Sequence, residues 1–155
     1  LLKKKVKTNK KLTNYFINKY YLPDLPIKVH SHLIKFANSS IDISDGLFAD
    51  LKKLINNQKF GYYIYSESLP ISGNLKLYLK KNKKNFLNYI SRGDDYQIIF
   101  TSSKKNRSYI NNLSKRINQK ITLIGTITNH SNQYRIIDKE NQLKSLNYEG
   151  YFHKF

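Results

Sequence analysis

The sequence contains no cysteine, methionine or tryptophan, and only three prolines and ten acidic residues among 155. Without cysteine there is no disulfide framework, thiolate zinc site or cysteine nucleophile, which is typical of proteins from a reducing compartment. No apolar run approaches the length of a membrane span, and the first residues lack the apolar core of a secretory signal. These absences predict a cytoplasmic globular domain. The lack of an initiator methionine indicates a trimmed N-terminus or a chain cut from a longer one, and we favour the second.

Basic residues outnumber acidic ones by 28 to 10, which gives a formal net charge of +18. Such a charge is associated with nucleic-acid binding, but only four of the basic residues are arginine, the side chain that reads bases and phosphates best. The lysines are scattered, as on a solvated surface, and are dense only near the N-terminus. We therefore predict a basic arm or linker over residues 1–11, a folded domain over 12–155, and neither a membrane nor a specific nucleic-acid partner.

The hydrophobic periodicity changes repeatedly along the chain between the helical and the extended type. Helical spacing predicts helices over 12–20, 29–37, 47–55 and 109–117, with one or two short helices between residues 75 and 90. Runs rich in β-branched and aromatic residues predict strands over 40–43, 60–65, 96–101, 121–127 and 134–137. This mixed order, without a regular βαβ repeat, predicts an α+β domain with a mixed sheet covered by helices.

Half of the scarce carboxylates lie in two short segments, which we name the first acidic window (residues 41–50) and the second acidic window (residues 91–96). The first runs from a strand end through a turn into a helix start. Asp42 and Asp45 on this turn are suited to share a hard divalent cation, while Ser44 can bind a phosphate oxygen and Gly46 permits close approach. An equally weighted interpretation is that Ser44 or Asp45 merely caps the following helix.

The second acidic window precedes a predicted strand and contains Asp94 and Asp95. Because neighbouring strand residues point to opposite faces, we expect at most one of these side chains to face a site. We expect the other to satisfy backbone donors in the turn. By itself a Gly-Asp-Asp sequence before a strand is more often a turn than a site.

Taken together and in order, the two windows resemble the C-terminal half of thiamine-monophosphate kinase. Residues 40–51, SIDISDGLFADL, resemble the family segment A-I-D-[IL]-S-D-G-L-x-x-D-L. Residues 93–101, GDDYQIIFT, resemble its G-G-E-D-Y-E-L-x-F-T segment, and residues 150–155 resemble its terminal G-Y-x-H-F. The resemblance extends over the chain from about residue 11 onward. It implies the C-terminal fold of the aminoimidazole ribonucleotide synthetase superfamily.

The resemblance also implies an activity, the magnesium-dependent transfer of the ATP γ-phosphoryl group to thiamine monophosphate. By position, Asp42 and Asp45 would be magnesium ligands and Ser44 an ATP contact. Asp94 would replace a substrate-binding glutamate, and Tyr148 a substrate-contacting aromatic residue that is commonly tryptophan. In this family an N-terminal half supplies further carboxylates and the homodimer contact. This chain alone is therefore expected to be inactive.

Three other functions remain open at this point. Another ATP-dependent enzyme of the same superfamily, such as an aminoimidazole ribonucleotide or selenophosphate synthetase, would share the fold but usually lacks this pair of motifs. A binding-only module would hold thiamine phosphates without transferring them. A basic nucleic-acid-binding domain would bind with an affinity that falls steeply with salt.

Overall fold

The computed structural model describes residues 8–55, 58–131, 133–140 and 142–144. Its α-helices are α1 (Lys10–Tyr21), α2 (Ile27–His30), α3 (Leu47–Leu54), α4 (Gly73–Lys81), α5 (Leu87–Ile90) and α6 (Arg107–Arg116). Its strands are β1 (Ala37–Asp42), β2 (Gly61–Tyr65), β3 (Ile98–Ser102), β4 (Gly125–Thr128), β5 (Tyr134–Ile137) and β6 (Leu143–Lys144). Short 3-10 turns lie at Leu33–Lys35, Ser66–Ser68 and Lys104–Asn106. No helix of these residues is long and apolar enough to cross a membrane.

The strands form two separate sheets. β1 and β3 make a two-stranded antiparallel sheet in which Asp42 is opposite Ile98. The other sheet has the order β4-β2-β5-β6 and is mixed, because β2 runs parallel to β5 but antiparallel to β4. The predicted α+β class with a mixed sheet is confirmed. The division into two sheets places both acidic windows at one end of the smaller sheet.

Helix α3 forms the centre of the larger hydrophobic core. Phe48 is fully buried, Leu51 is nearly so, and both pack in one cluster with Tyr62 and Ile136 of the mixed sheet. Burial of each such side chain contributes about 1.5–3 kcal/mol. This packing fixes the helix, and with it the turn that precedes the helix.

The segment between β4 and β5 passes directly over the start of β2. A Cβ atom on Gly61 would lie 2.3 Å from the carbonyl oxygen of His130 and 2.6 Å from that of Gln133. The Tyr62 N–H also donates to Gln133 O at 2.9 Å. A glycine at the start of β2 therefore lets β4 and β5 lie on either side of that strand.

Three element predictions need correction. The helix predicted over 29–37 is only the four-residue α2 and a 3-10 turn, because Ala37 begins β1 opposite Ser102. The Ser102 hydroxyl donates to Phe36 O at 2.6 Å, which helps to end the helical segment. The strand predicted from residue 96 begins at residue 98, and that predicted from residue 121 begins at residue 125. At residue 37, the pairing with Ser102 overrides the helical pattern. Tyr96 has φ +51°, which lies outside the strand conformation. The ladder between β2 and β4 ends at Ile64 opposite Gly125, so residues 121–124 lie beyond it.

Candidate functional site

The two acidic windows lie side by side beyond the end of the β1–β3 ladder. The Ile43 N–H donates to Gln97 O at 2.7 Å, and the Tyr96 N–H donates to Ile43 O at 3.1 Å. One residue further on, the Asp94 N–H donates to Ser44 O at 2.9 Å. Segments about fifty residues apart in the sequence are thus joined by backbone hydrogen bonds.

Two glycines allow this close approach. Gly46 has φ +122°, and a Cβ there would lie 2.5 Å from Ser91 O. Gly93 has φ +77°, and a Cβ there would lie 2.1 Å from Ser44 O. Each glycine thus packs against backbone of the opposite window, and both adopt a φ that other residues rarely adopt.

Asp50 organises the turn from inside helix α3. Its side chain is fully buried, and Oδ2 accepts hydrogen bonds from the backbone N–H groups of Ser44, Asp45 and Gly46 at 2.9, 2.9 and 3.1 Å. A carboxylate in the first turn of a helix is also favoured by the helix dipole. The sequence pattern places Asp50 in the first acidic window but does not identify this role. Its position in the first helical turn after a glycine was the available signal.

The capping interpretation of Ser44 and Asp45 is wrong. The residue in the N-cap position of α3 is Gly46, which has no side chain to accept a hydrogen bond. Asp50 instead satisfies the backbone donors of the turn. The side chains of Ser44 and Asp45 are therefore not needed for capping.

The remaining predicted site residues have different surroundings. Asp42 ends β1, and its exposed carboxylate has no hydrogen-bond or ion-pair partner among the described residues. Ser44 is exposed on the same turn. Asp94 is exposed and has φ +58°, so the strand alternation expected for the second window does not apply to it. Tyr148, like the motif at 150–155 and residues 1–7 of the arm, lies outside the described residues.

Lys53 lies beside this turn and pairs with two of its carboxylates, a role that was not predicted from the sequence. Its ammonium donates to Asp50 Oδ1 at 2.9 Å and forms an ion pair with Asp45 Oδ2. The hydrogen bonds to Asp45 and then Asp50 are the main reasons why the pKa of Lys53 is raised. Its spacing of three residues from Asp50 on a helix was the signal for this contact.

The donor chemistry of the turn suits magnesium. Asp42 and Asp45 offer hard carboxylate oxygens. They form a pair and not a larger ligand cluster, because no group of three or more histidine, cysteine, aspartate or glutamate side chains that could hold a metal occurs within the described ranges. Magnesium is commonly held by one or two carboxylates, with water and substrate phosphates completing its octahedral shell. Two carboxylates beside an exposed serine fit that arrangement.

Asp95 carries an altered acidity. Although the residue is exposed as a whole, desolvation of its carboxyl group, with the negative charge of Asp94 as a second cause, raises its pKa from 3.8 to about 6. Neither carboxylate accepts a hydrogen bond from the described residues, so the expectation that one would satisfy backbone donors is wrong. The backbone conformation of Asp94 turns the segment away from the strand geometry on which that expectation was based.

This pKa predicts how stability depends on pH. A raised pKa means that the folded state favours protonated Asp95, so its contribution is fully present below pH 3.8 and is lost as the pH rises through about 6. Denaturant unfolding in EDTA should show that Asp95→Asn gains stability over the parent chain between these pH values. Asp94→Asn should remove part of this pH dependence of stability, because the charge of Asp94 is the second cause of the raised pKa. Parallel pH profiles for the parent and Asp95→Asn would contradict this prediction.

No protein-family model matches the chain, but curated proteins do. The thiamine-monophosphate kinase of Buchnera aphidicola subsp. Schizaphis graminum is 36% identical over 156 residues, which cover 100% of this chain and 47% of that protein. The thiamine-monophosphate kinase of Aquifex aeolicus is 41% identical over 90 residues, which cover 57% of this chain and 29% of that protein.

Solved structures agree with these sequence matches. The structure of AaThiL complexed with AMPPCP and TMP superposes with a TM-score of 0.72 and 28% identity, covering 94% of this chain and 44% of that one. The crystal structure of thiamine monophosphate kinase from Aquifex aeolicus gives a TM-score of 0.64 and 29% identity, covering 84% and 41% of the two chains.

The fold and the joined windows define an α+β domain of the aminoimidazole ribonucleotide synthetase-like type. The chain belongs to the thiamine-monophosphate kinase family and matches the C-terminal half of its members. It spans about half the length of the curated relatives it matches.

Proposed function

We propose that this chain is the C-terminal part of a kinase that transfers a phosphoryl group from ATP to thiamine monophosphate, giving thiamine diphosphate. The observation that carries the proposal is the joining of the two windows through Ser44 and Gly93. This joining brings the turn that carries Asp42, Ser44 and Asp45 beside the segment that carries Asp94. The kinase relatives, and the complex of AaThiL with the ATP analogue AMPPCP and with TMP, support the same reaction.

In this proposal Asp42 and Asp45 hold Mg²⁺, which supplies positive charge to neutralise the phosphate oxygens. The exposed hydroxyl of Ser44 donates a hydrogen bond to an ATP phosphate oxygen. Asp94 binds the substrate from the adjacent segment. No protein nucleophile is required, because the acceptor is itself a phosphate that is mostly ionised at neutral pH. The protein then acts mainly by positioning two anions and stabilising their charge.

The family resemblance supports two further parts of the proposal, the substrate contact of Tyr148 and the homodimer through an N-terminal half. The cytoplasmic location and the domain limits 12–155 are predictions from the composition and from the distribution of charge. The absence of a specific nucleic-acid partner is likewise a prediction from the composition.

The direct test is an assay of the protein encoded by the complete natural gene. We expect thiamine diphosphate to form from thiamine monophosphate, ATP and Mg²⁺. No product, or turnover with the substrates of an aminoimidazole ribonucleotide or selenophosphate synthetase, would overturn the proposed reaction. Binding of thiamine phosphates without turnover would identify a binding-only module.

The metal turn can be tested separately by titration of this chain with Mn²⁺, followed by electron paramagnetic resonance. Asp42→Asn should weaken Mn²⁺ binding by at least the roughly 10–100-fold that loss of a supporting residue causes in metal sites. Glu140→Gln is the matched control, because Glu140 is an exposed carboxylate whose ion pair with Lys139 is long, at 3.8 Å. Equal affinities of the two variants would argue against Asp42 as a ligand.

A further inference from the structure

Lys53 joins two carboxylates of the first acidic window that differ greatly in exposure. The side chain of Asp50 is 0% exposed and that of Asp45 is 22% exposed, whereas the side chain of Lys53 is 49% exposed. The ammonium thus lies at the boundary between the buried base of the turn and its solvent side. It supplies one positive charge to a pair of negative groups.

The two contacts of Lys53 differ in their freedom to change. The Asp50 carboxylate is held in place, because its Oδ2 accepts three backbone N–H groups. The backbone of Asp45 is held by the same carboxylate, but its side chain has only Lys53 as a partner among the described residues. Rotation of the Asp45 side chain can therefore break one contact of Lys53 and leave the other intact.

A metal ligand cannot keep a close ammonium without cost. Mg²⁺ at Asp45 would bring two positive charges toward the ammonium of Lys53, and such repulsion remains substantial near a protein surface. Asp42, three residues earlier, has no described partner that must be released first. The competition therefore concerns Asp45.

We propose that Lys53 neutralises Asp45 while no metal is bound, and that a divalent cation displaces it from Asp45 while its bond to Asp50 remains. The inference rests on the proposed function, because it takes Asp45 as a metal ligand. Lys53 is then a positioning residue that sets the affinity of the turn for metal.

The test is a titration of the 155-residue chain and its variants with Mn²⁺ alone. Lys53→Gln should bind Mn²⁺ about three- to fivefold more tightly, the effect expected when one partly exposed ion pair no longer competes. Lys53→Arg keeps the charge and should retain the parental affinity. An unchanged or weakened affinity of Lys53→Gln would overturn the inference.

Lys52→Gln is the matched control for net charge. Lys52 lies on the same helix, but its ammonium lies over the ring of Tyr134, 5.3 Å from the centroid. We expect the affinity of Lys52→Gln for Mn²⁺ to differ less than twofold from that of the parent chain. An equal increase in Mn²⁺ affinity for Lys52→Gln and Lys53→Gln would reveal a general charge effect. It would overturn this inference and leave the proposed function intact. Absence of Mn²⁺ binding in every variant would overturn the metal turn of the proposed function as well.

A measurement on the unsubstituted chain does not depend on the folding of any variant. The side-chain ammonium signal of Lys53, observed by nuclear magnetic resonance, should shift during titration with Mg²⁺. Its midpoint should match that of the backbone amide of Asp45, while the signal of Lys52 stays in place. Saturation of the Asp45 amide shift without any change at Lys53 would contradict displacement.

Discussion

Replacement of Asp50 by alanine should lower the free energy of unfolding by about 3–5 kcal/mol, because three backbone donors lose their acceptor at once. The N–H groups of Ser44, Asp45 and Gly46 all converge on one oxygen of this buried carboxylate. Each buried donor left unsatisfied costs about 1–3 kcal/mol, and partial entry of water offsets some of that loss. Equilibrium unfolding in urea, at neutral pH and without metal, measures the change.

Two variants separate the causes of this effect. Asp50→Asn keeps an acceptor oxygen but loses the charge, so we expect it to be intermediate. Asp24→Ala removes a carboxylate whose side chain is 82% exposed and paired with Lys19, and it should cost less than about 1 kcal/mol. A cost for Asp50→Ala no greater than that of Asp24→Ala would mean that the turn does not depend on the buried carboxylate.

Gly93→Ala should destabilise the chain by about 3–5 kcal/mol and separate the two acidic windows. The new Cβ would lie 2.1 Å from Ser44 O and 2.9 Å from the carbonyl carbon of Asp45, so one window must move. The φ of +77° adds about 1–3 kcal/mol of backbone strain, and overpacking adds a similar amount. Urea unfolding measures the change in the free energy of unfolding. Titration of the folded fraction with Mn²⁺ should show weaker metal binding, because the turn is disrupted.

The chain contains a matched glycine for comparison. A Cβ on Gly73, the first residue of α4, would meet no atom within 4 Å. Gly73→Ala should be neutral or slightly stabilising, because alanine has the higher helix propensity. Wild-type stability of Gly93→Ala would show that the windows tolerate a side chain between them, and would contradict the close approach.

Local patterns predicted much of the framework of the site. The strand, turn and helix around Asp42 and Asp45 follow from a polar turn between two apolar periodicities, and β5 has the predicted bounds of residues 134–137. The predicted helix over 29–37 failed although Phe36 and Ala37 satisfy a helical pattern. Ala37 pairs with Ser102 of β3, and Phe36 O accepts a hydrogen bond from the Ser102 hydroxyl. A hydrophobic periodicity indicates which residues are buried, but it does not indicate which distant strand they pair with.

The candidate site was likewise predicted from the sequence only in part. The concentration of scarce carboxylates, and the resemblance of both windows to the kinase motifs, were visible in the residues themselves. The convergence of backbone donors on Asp50, and the ion pair of Lys53 with Asp45, were not predicted. Each requires the precise path of the turn, and spacing alone does not specify that path.

The sequence by itself determined the class of the domain, the concentration of carboxylates in two short segments and the family to which the chain belongs. These properties depend on residue types and their local order. Only the tertiary structure decided that Gly93 lies against Ser44 and that Asp50 is buried beneath the turn. Both result from packing between segments far apart in the chain, where the hydrophobic core around α3 and the β1–β3 pairing select one arrangement among the many that local preferences allow.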